Sequence, residues 1–109
     1  MSEASILDLL QQALELEVHA FVSYKYQSVV VHDDGFEKLS DHYVKEMEEE
    51  FHHINLLLAR MANEGYLNAS IGIERLILNH QDTQGYLKED ERYEQRAVAL
   101  YKLITRLLS

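Results

Sequence analysis

The chain has 109 residues, enough for one domain, and it contains neither cysteine nor proline. Without cysteine, disulfides, iron–sulfur clusters and thiol catalysis are excluded. The formal net charge of −9 argues against nucleic acid as a partner and favours cations. No secretory signal and no membrane-spanning apolar run is evident, so we expect one cytoplasmic domain over residues 1–109.

The first segment, from about residue 5 to residue 31, has apolar residues at helical spacing. Ser5, followed three residues later by Asp8, is typical of a helix start. The sequence HDDG at residues 32–35 predicts a tight turn. A tight turn after a long helix indicates that the next helix runs antiparallel to it.

The second segment, residues 36 to about 63, is also predicted to be helical, and Gly65 fits a helix end. Residues 66–73 have the composition of a connector. Residues 74 to 107 are predicted to form a third helix, with a bend near Gly85. The expected fold is therefore all-α: an antiparallel helical hairpin plus a third helix.

One acid interrupts the apolar stripe of the first helix. Glu17 lies on the same face as Leu14, Ala20 and Tyr24. An isolated carboxylate inside an apolar stripe is costly unless something pairs with it, which makes Glu17 a candidate metal ligand. The structural alternative is a position at the edge of the stripe, or an ion pair with Lys or Arg.

The second helix carries two overlapping acid–histidine pairs. Glu49 and His52 are three residues apart, and so are Glu50 and His53. Residues at this spacing share a helix face, so either pair can direct a carboxylate and an imidazole toward one ion. Glu-x-x-His motifs projecting into a helical bundle are the ligands of di-iron carboxylate proteins.

The alternative interpretation of the same run is a solvated charged face, and we assign Glu46 and Glu48 to solvent on that basis. A further candidate lies in the third helix, where Glu94 falls within the stripe defined by Leu87 and Tyr101. Asp90 and Glu91 are nearly as well placed there.

Together these residues resemble the ferritin-like superfamily, and bacterioferritin most closely, over about residues 7–101. The segment LELEVHAFVSYKYQ resembles the helix that carries a terminal Glu ligand followed seven residues later by Tyr, here Glu17 and Tyr24. The segment LKEDERYEQRAVALY resembles the helix whose Glu-Gln carries the next terminal ligand, here Glu94.

The segment EEEFHHINLLLARMANEG resembles the helix with the bridging Glu and the ligand His. Counting back from the Glu-Gly at its end aligns this pair with Glu49 and His52, and a shift of one residue would give His53 instead. With this alignment, Glu50 stands where bacterioferritin has its heme-ligating Met, which argues against heme binding.

The resemblance implies a di-iron centre that oxidises Fe(II) with O₂ or peroxide, although manganese or zinc would accept the same ligands. The implied catalytic residues are Glu17, Glu49 and His52, and the implied metal ligands are these three and Glu94. A ferritin-like bundle needs a fourth helix with a second Glu-x-x-His, and this sequence contains none outside residues 49–53.

We expect a homodimer, or a higher homo-oligomer, to complete the four-helix bundle. Two hairpins related by a twofold axis would supply the missing ligands, or a partner's helix could stand beside the third helix. The alternative function is a metal-free, degenerate ferritin-like module that acts through dimerisation or partner docking. The sequence could also be part of a longer ferritin-like protein.

Overall fold

The computed structural model describes residues 3–65, 78 and 81–108, and all of its regular structure is helical. The helices are α1 (Glu3–Asp33), α2 (Glu37–Asn63) and α3 (Thr83–Leu108). α1 packs against both other helices, whereas α2 and α3 are not in close backbone contact. The all-α hairpin with a third helix is thereby confirmed. In the described part of the chain, no helix is long and apolar enough to cross a membrane.

The predicted turn between α1 and α2 is a glycine-terminated helix end. Gly35 has φ of 90°, a conformation that favours glycine. Its N–H donates to the carbonyl of His32, and the N–H of Phe36 donates to the carbonyl of Val31. This pair of hydrogen bonds is the Schellman motif, which satisfies the last free carbonyls of α1. The motif stops α1 and reverses the chain within a few residues.

The third helix begins later than the sequence pattern predicts. Residues 78, 81 and 82 are not helical, and α3 starts at Thr83. The side chain of Asp82 accepts a hydrogen bond of 2.8 Å from the N–H of Gly85, so Asp82 is the N-cap. Gly85 thus lies in the first turn of α3 and not at a bend. The rest of the predicted connector and helix, residues 66–77 and 79–80, lies outside the described residues.

Two apolar clusters hold the helices together, and Glu17 lies between them along α1. The first contains Leu10, Ala13, Leu14, Leu57, Met61 and Ile104. The second contains Ala20, Tyr24, Val31, Tyr43 and Tyr86. Apolar packing therefore lies on both sides of the polar layer that contains Glu17.

Because α3 packs along α1, a groove remains open between α2 and α3. We call it the α2–α3 groove; His53 and Leu56 line it on α2, and Val98 and Tyr101 line it on α3. Leu56 and Val98 are each more than half exposed. The groove therefore leaves apolar side chains of both helices accessible to solvent.

Candidate metal centre

Two glutamates face each other in the polar layer between the apolar clusters. Glu17 of α1 is 1% exposed and Glu50 of α2 is 3% exposed. Together with His53, each offers a ligand atom within 4.8 Å of the others. In the described part of the chain, His53 is the single basic side chain paired with either carboxylate.

His53 completes this three-residue group from the groove side. Its Nδ1 lies 3.4 Å from Oε2 of Glu17 and 3.5 Å from Oε2 of Glu50. The side chain is 45% exposed, so the imidazole connects the buried carboxylates with solvent. Since Glu50 and His53 are three residues apart on α2, both reach the same point, as the helical spacing predicts.

Two tyrosines of α3 close the group, and sequence reasoning missed both. The hydroxyl of Tyr93 lies 3.0 Å from Oε2 of Glu17 and 2.9 Å from Oε2 of Glu50, so its single proton is shared between them. Tyr101 donates a 2.7 Å hydrogen bond to Oε1 of Glu17. Burial, and then the charge and hydrogen bond of Glu17, raise the pKa of both phenols, which keeps them protonated as donors.

The expected pair Glu49 and His52 is not brought to Glu17. Both residues are exposed, and they lie beside Lys45 and Glu48 on the outer side of α2. Successive helical residues are rotated by about 100°, so a shift of one residue moves a side chain from the buried face to the flank. The hairpin register turns Glu50 and His53 inward, which is the one-residue shift that the sequence left open.

Glu94 lies across the same layer, but it approaches Glu50 and not Glu17. Its Oε1 accepts a hydrogen bond of 3.1 Å from the hydroxyl of Tyr24. With Glu46 and Glu50 it forms a second group whose ligand atoms lie within 4.8 Å of one another.

Glu46 is only partly exposed, which corrects its assignment to solvent. Burial, and then the neighbouring Glu49, raise the pKa of its carboxyl.

A second polar group lies next to these carboxylates, inside the tyrosine-rich cluster. Gln27 donates a hydrogen bond of 3.0 Å to Oδ1 of Asp90. Burial raises the pKa of Asp90 to about 6 and that of Tyr43 to about 12. Four buried atoms here have no hydrogen-bond partner, namely Oε1 of Gln27, Oδ2 of Asp90 and the hydroxyls of Tyr43 and Tyr86.

Comparison with known families assigns the chain to one of them. A family model described as a ferritin-like domain matches residues 7–108, nearly the whole chain. The chain belongs to the ferritin-like domain family. No curated protein and no solved structure shows a significant match. In this ferritin-like chain, the carboxylate and imidazole group is of the donor type that iron accepts. The closer likeness to bacterioferritin rests on the sequence resemblance and stays a prediction.

The first prediction concerns the shared hydroxyl. Tyr93→Phe removes the donor between two buried carboxylates, and we expect the metal-free protein to lose about 1–3 kcal/mol of unfolding free energy. Urea unfolding in the presence of a chelator measures it. Tyr26→Phe is the control, because the hydroxyl of Tyr26 contacts neither carboxylate. Equal stability of the two variants would contradict the proposed role of Tyr93.

The second prediction concerns Asp90 in the metal-free protein. Its folded-state pKa of about 6 lies above the usual 3.8, so the folded state binds the proton more tightly than the unfolded state does. The stability due to that proton is present below about pH 4 and is lost as the pH rises through about 6.

Asp90→Asn keeps the shape and removes the charge. The variant should have the same free energy of unfolding as the wild type near pH 4. Near pH 7.5 it should be more stable by about 1 kcal/mol, which is less than the full pKa shift would give because solvent partly screens the charge of Asp90. Urea unfolding at both pH values checks this, with the exposed Glu91→Gln as control. A variant that is less stable than the wild type at the higher pH would show that the charge is favourable there.

Proposed function

We propose that this ferritin-like protein binds iron at Glu17, Glu50 and His53 and oxidises Fe(II) as a ferroxidase. The observation that carries the proposal is the approach of two buried carboxylates and an imidazole to within 4.8 Å. Buried charges in proteins are paired or coordinate metals, and here the partly exposed His53 is the one basic partner in the described residues. A cation at this point would neutralise both carboxylates.

The donor set suits Fe(II), which is the substrate in this proposal. Glu17 and Glu50 supply oxygen, and His53 supplies nitrogen from its neutral imidazole. The half-exposed His53 lies on the groove side, which gives a route from solvent to the buried oxygens. The hydroxyl of Tyr93 lies between the two carboxylates. A bound ion would therefore require this side chain to move, or would have to lie beside its hydroxyl. Manganese and zinc accept the same donors, so the residues alone do not select iron.

The overall reaction is a two-electron oxidation. Two Fe(II) ions each lose one electron, and O₂ takes up both electrons with two protons to give hydrogen peroxide. With peroxide as the oxidant, two electrons and two protons cleave the O–O bond and give two water molecules. A centre for two irons is the finer part of the proposal, with Glu94 as a further ligand.

We choose Glu50 and His53 over Glu49 and His52 because only the former pair lies with Glu17 in the single chain. With this register, the position of the heme-ligating Met becomes Phe51, whose ring offers no ligand atom. Heme therefore has no place in the proposal. The alternative, with Glu49 and His52 as ligands, would require a second chain to bring a carboxylate to the exposed side of α2.

We also propose that the protein is a homodimer in the cytoplasm. The α2–α3 groove exposes Leu56 and Val98 beside the half-exposed His53. Apolar surface next to a functional site is typical of an interface. Since α3 already packs on α1, a partner's helix in the groove leaves the described packing unchanged. By contrast, a twofold dimer built from the α1–α2 hairpins alone would have to displace α3 from α1.

The third prediction tests the ligand pair. Glu50→Gln keeps the volume and removes one buried charge, and we expect it to abolish stoichiometric Fe(II) binding under anaerobic dialysis and Fe(II) oxidation in air. Glu49→Gln is the matched control on the adjacent, exposed position and should retain both. Native mass spectrometry of the same samples reports bound metal and chain number together, and a dimer is expected.

Loss of iron from Glu49→Gln, with full binding by Glu50→Gln, would restore the other register. A wild-type protein that neither binds nor oxidises Fe(II) after exposure to excess iron would contradict the ferroxidase proposal. That outcome, with a dimer still present, would favour the metal-free docking module.

A further inference from the structure

We infer that the α2–α3 groove binds the same groove of a second copy in antiparallel orientation, with the basic end of each chain on the acidic end of the other. This inference rests on the homodimer proposed above and deepens it, because it assigns the orientation of the partner and the charges that select it. It also places a cation of the partner subunit beside Glu94, at the edge of the proposed metal centre.

The two ends of the α2–α3 groove differ in charge. Beside the N-terminal half of α2, a cavity of about 410 Å³ has no Lys or Arg among its described lining residues. The carboxylates that line it are Glu46, Glu49, Glu50, Asp90, Glu91 and Glu94. Toward the end of α3, a larger cavity of about 640 Å³ extends from the buried carboxylates out to Lys102 and Arg106. His53 lines both cavities, so they are the two ends of one continuous groove.

Both helices contribute to each end of the groove because they run in the same direction. Tyr86 of α3 packs against Tyr43 of α2, with ring centroids 6.5 Å apart. Further along both helices, the hydroxyl of Tyr93 donates a hydrogen bond of 2.9 Å to Oε2 of Glu50. The two helices are therefore parallel, and the charge of their shared groove changes from negative to positive along its length.

Of the two ways to place one such groove on another, only one brings opposite charges together. A twofold axis parallel to the helices would put the acidic end of one chain on the acidic end of the other. A twofold axis that crosses the groove reverses the partner and puts each acidic end on a basic end. Since like charges opposed across an interface are unfavourable and complementary charges fix its register, the antiparallel isologous contact is favoured.

The exposed apolar residues place the axis near the middle of the groove. Val98 is 51% exposed, and it lies about one helical turn from Glu94 and one from Lys102 along α3. An axis beside Val98 would pack this side chain against its own copy and cover Leu56, which is 56% exposed. The same axis places Lys102 opposite Glu94 of the partner subunit. In the described part of the chain, Lys102 has no ion-pair partner of its own.

The acidic end needs such a cation when a partner covers it. Glu91 and Glu94 are exposed in the single chain, where water solvates their charges. The basic residues that line this end are two histidines, His42 and His53. A carboxylate that loses its water on association needs a charged partner, because an unpaired buried charge is costly. The ammonium group of Lys102 from the second copy supplies that permanent positive charge.

Charge reversal in a double-mutant cycle tests the pairing, with the dimer dissociation constant measured by sedimentation equilibrium at low salt in the presence of a chelator. Lys102→Glu and Glu94→Lys each place like charges opposite one another, and each should raise the dissociation constant about tenfold or more. The double variant restores opposite charges and should return the constant to within about threefold of the wild type. Lys88→Glu, at an exposed position on α3 that lines neither cavity, changes the net charge equally and should leave the dimer unchanged.

The possible results separate the inference from the proposed function. A wild-type dimer that both single reversals leave equally tight, or a double variant no tighter than the single ones, would overturn the antiparallel pairing and leave the homodimer in place. A wild type that is monomeric throughout would overturn the pairing and the homodimer together. A protein that passes the cycle but binds no iron would contradict the ferroxidase proposal alone. Helical circular dichroism equal to that of the wild type confirms that each variant is folded.

Discussion

The central constraint on this structure is that two carboxylates are buried side by side and must be compensated. Glu17 and Glu50 lie between two apolar clusters, and their ligand atoms come within 4.8 Å. Two negative charges at that distance repel by on the order of 3 kcal/mol at an effective dielectric constant of about 20. The phenols of Tyr93 and Tyr101, with His53, offset part of that cost by hydrogen bonding. A divalent cation would offset far more of it, which supports the proposal that this layer binds metal.

The helical hairpin positions these groups through its register. The Schellman turn at Gly35 ends α1, and the packing of α2 on α1 then decides which residues of EMEEEFHH face inward. Glu50 is 3% exposed, whereas its neighbour Glu49 is exposed. α3 contributes hydroxyl donors on one side of Glu50 and Glu94 on the other. Each helix thus supplies one wall of the polar layer.

Local features of the chain made much of this predictable. The absence of proline, the apolar spacing and the glycines at residues 35 and 65 indicate α1 and α2, although α1 begins at Glu3, before the predicted start at Ser5, and continues to Asp33. The burial of Glu17 follows from its place in an apolar stripe. The start of α3 was predicted too early. Its N-terminus is marked only by the capping side chain of Asp82, in a stretch without strong helix breakers.

The acid–histidine pair that lies beside Glu17 is one residue away from the pair that the sequence resemblance implies, because both pairs satisfy the same spacing. Rotation of α2 about its axis is set by tertiary packing, which spacing within a helix does not report. The donor role of Tyr93 was also beyond the sequence, since a tyrosine in an apolar stripe is equally compatible with simple core packing. Glu46 was assigned to solvent for a related reason, as a member of a charged run. All three depend on where another helix lies.

Anomalous X-ray diffraction from crystals grown with Mn(II) or Fe(II) tests the central claim most directly. A strong anomalous peak within coordination distance of Glu17, Glu50 and His53 is the predicted result. A peak held by Glu49 and His52 on the outer side of α2, or no peak beside the buried carboxylates in crystals that diffract well, would contradict it.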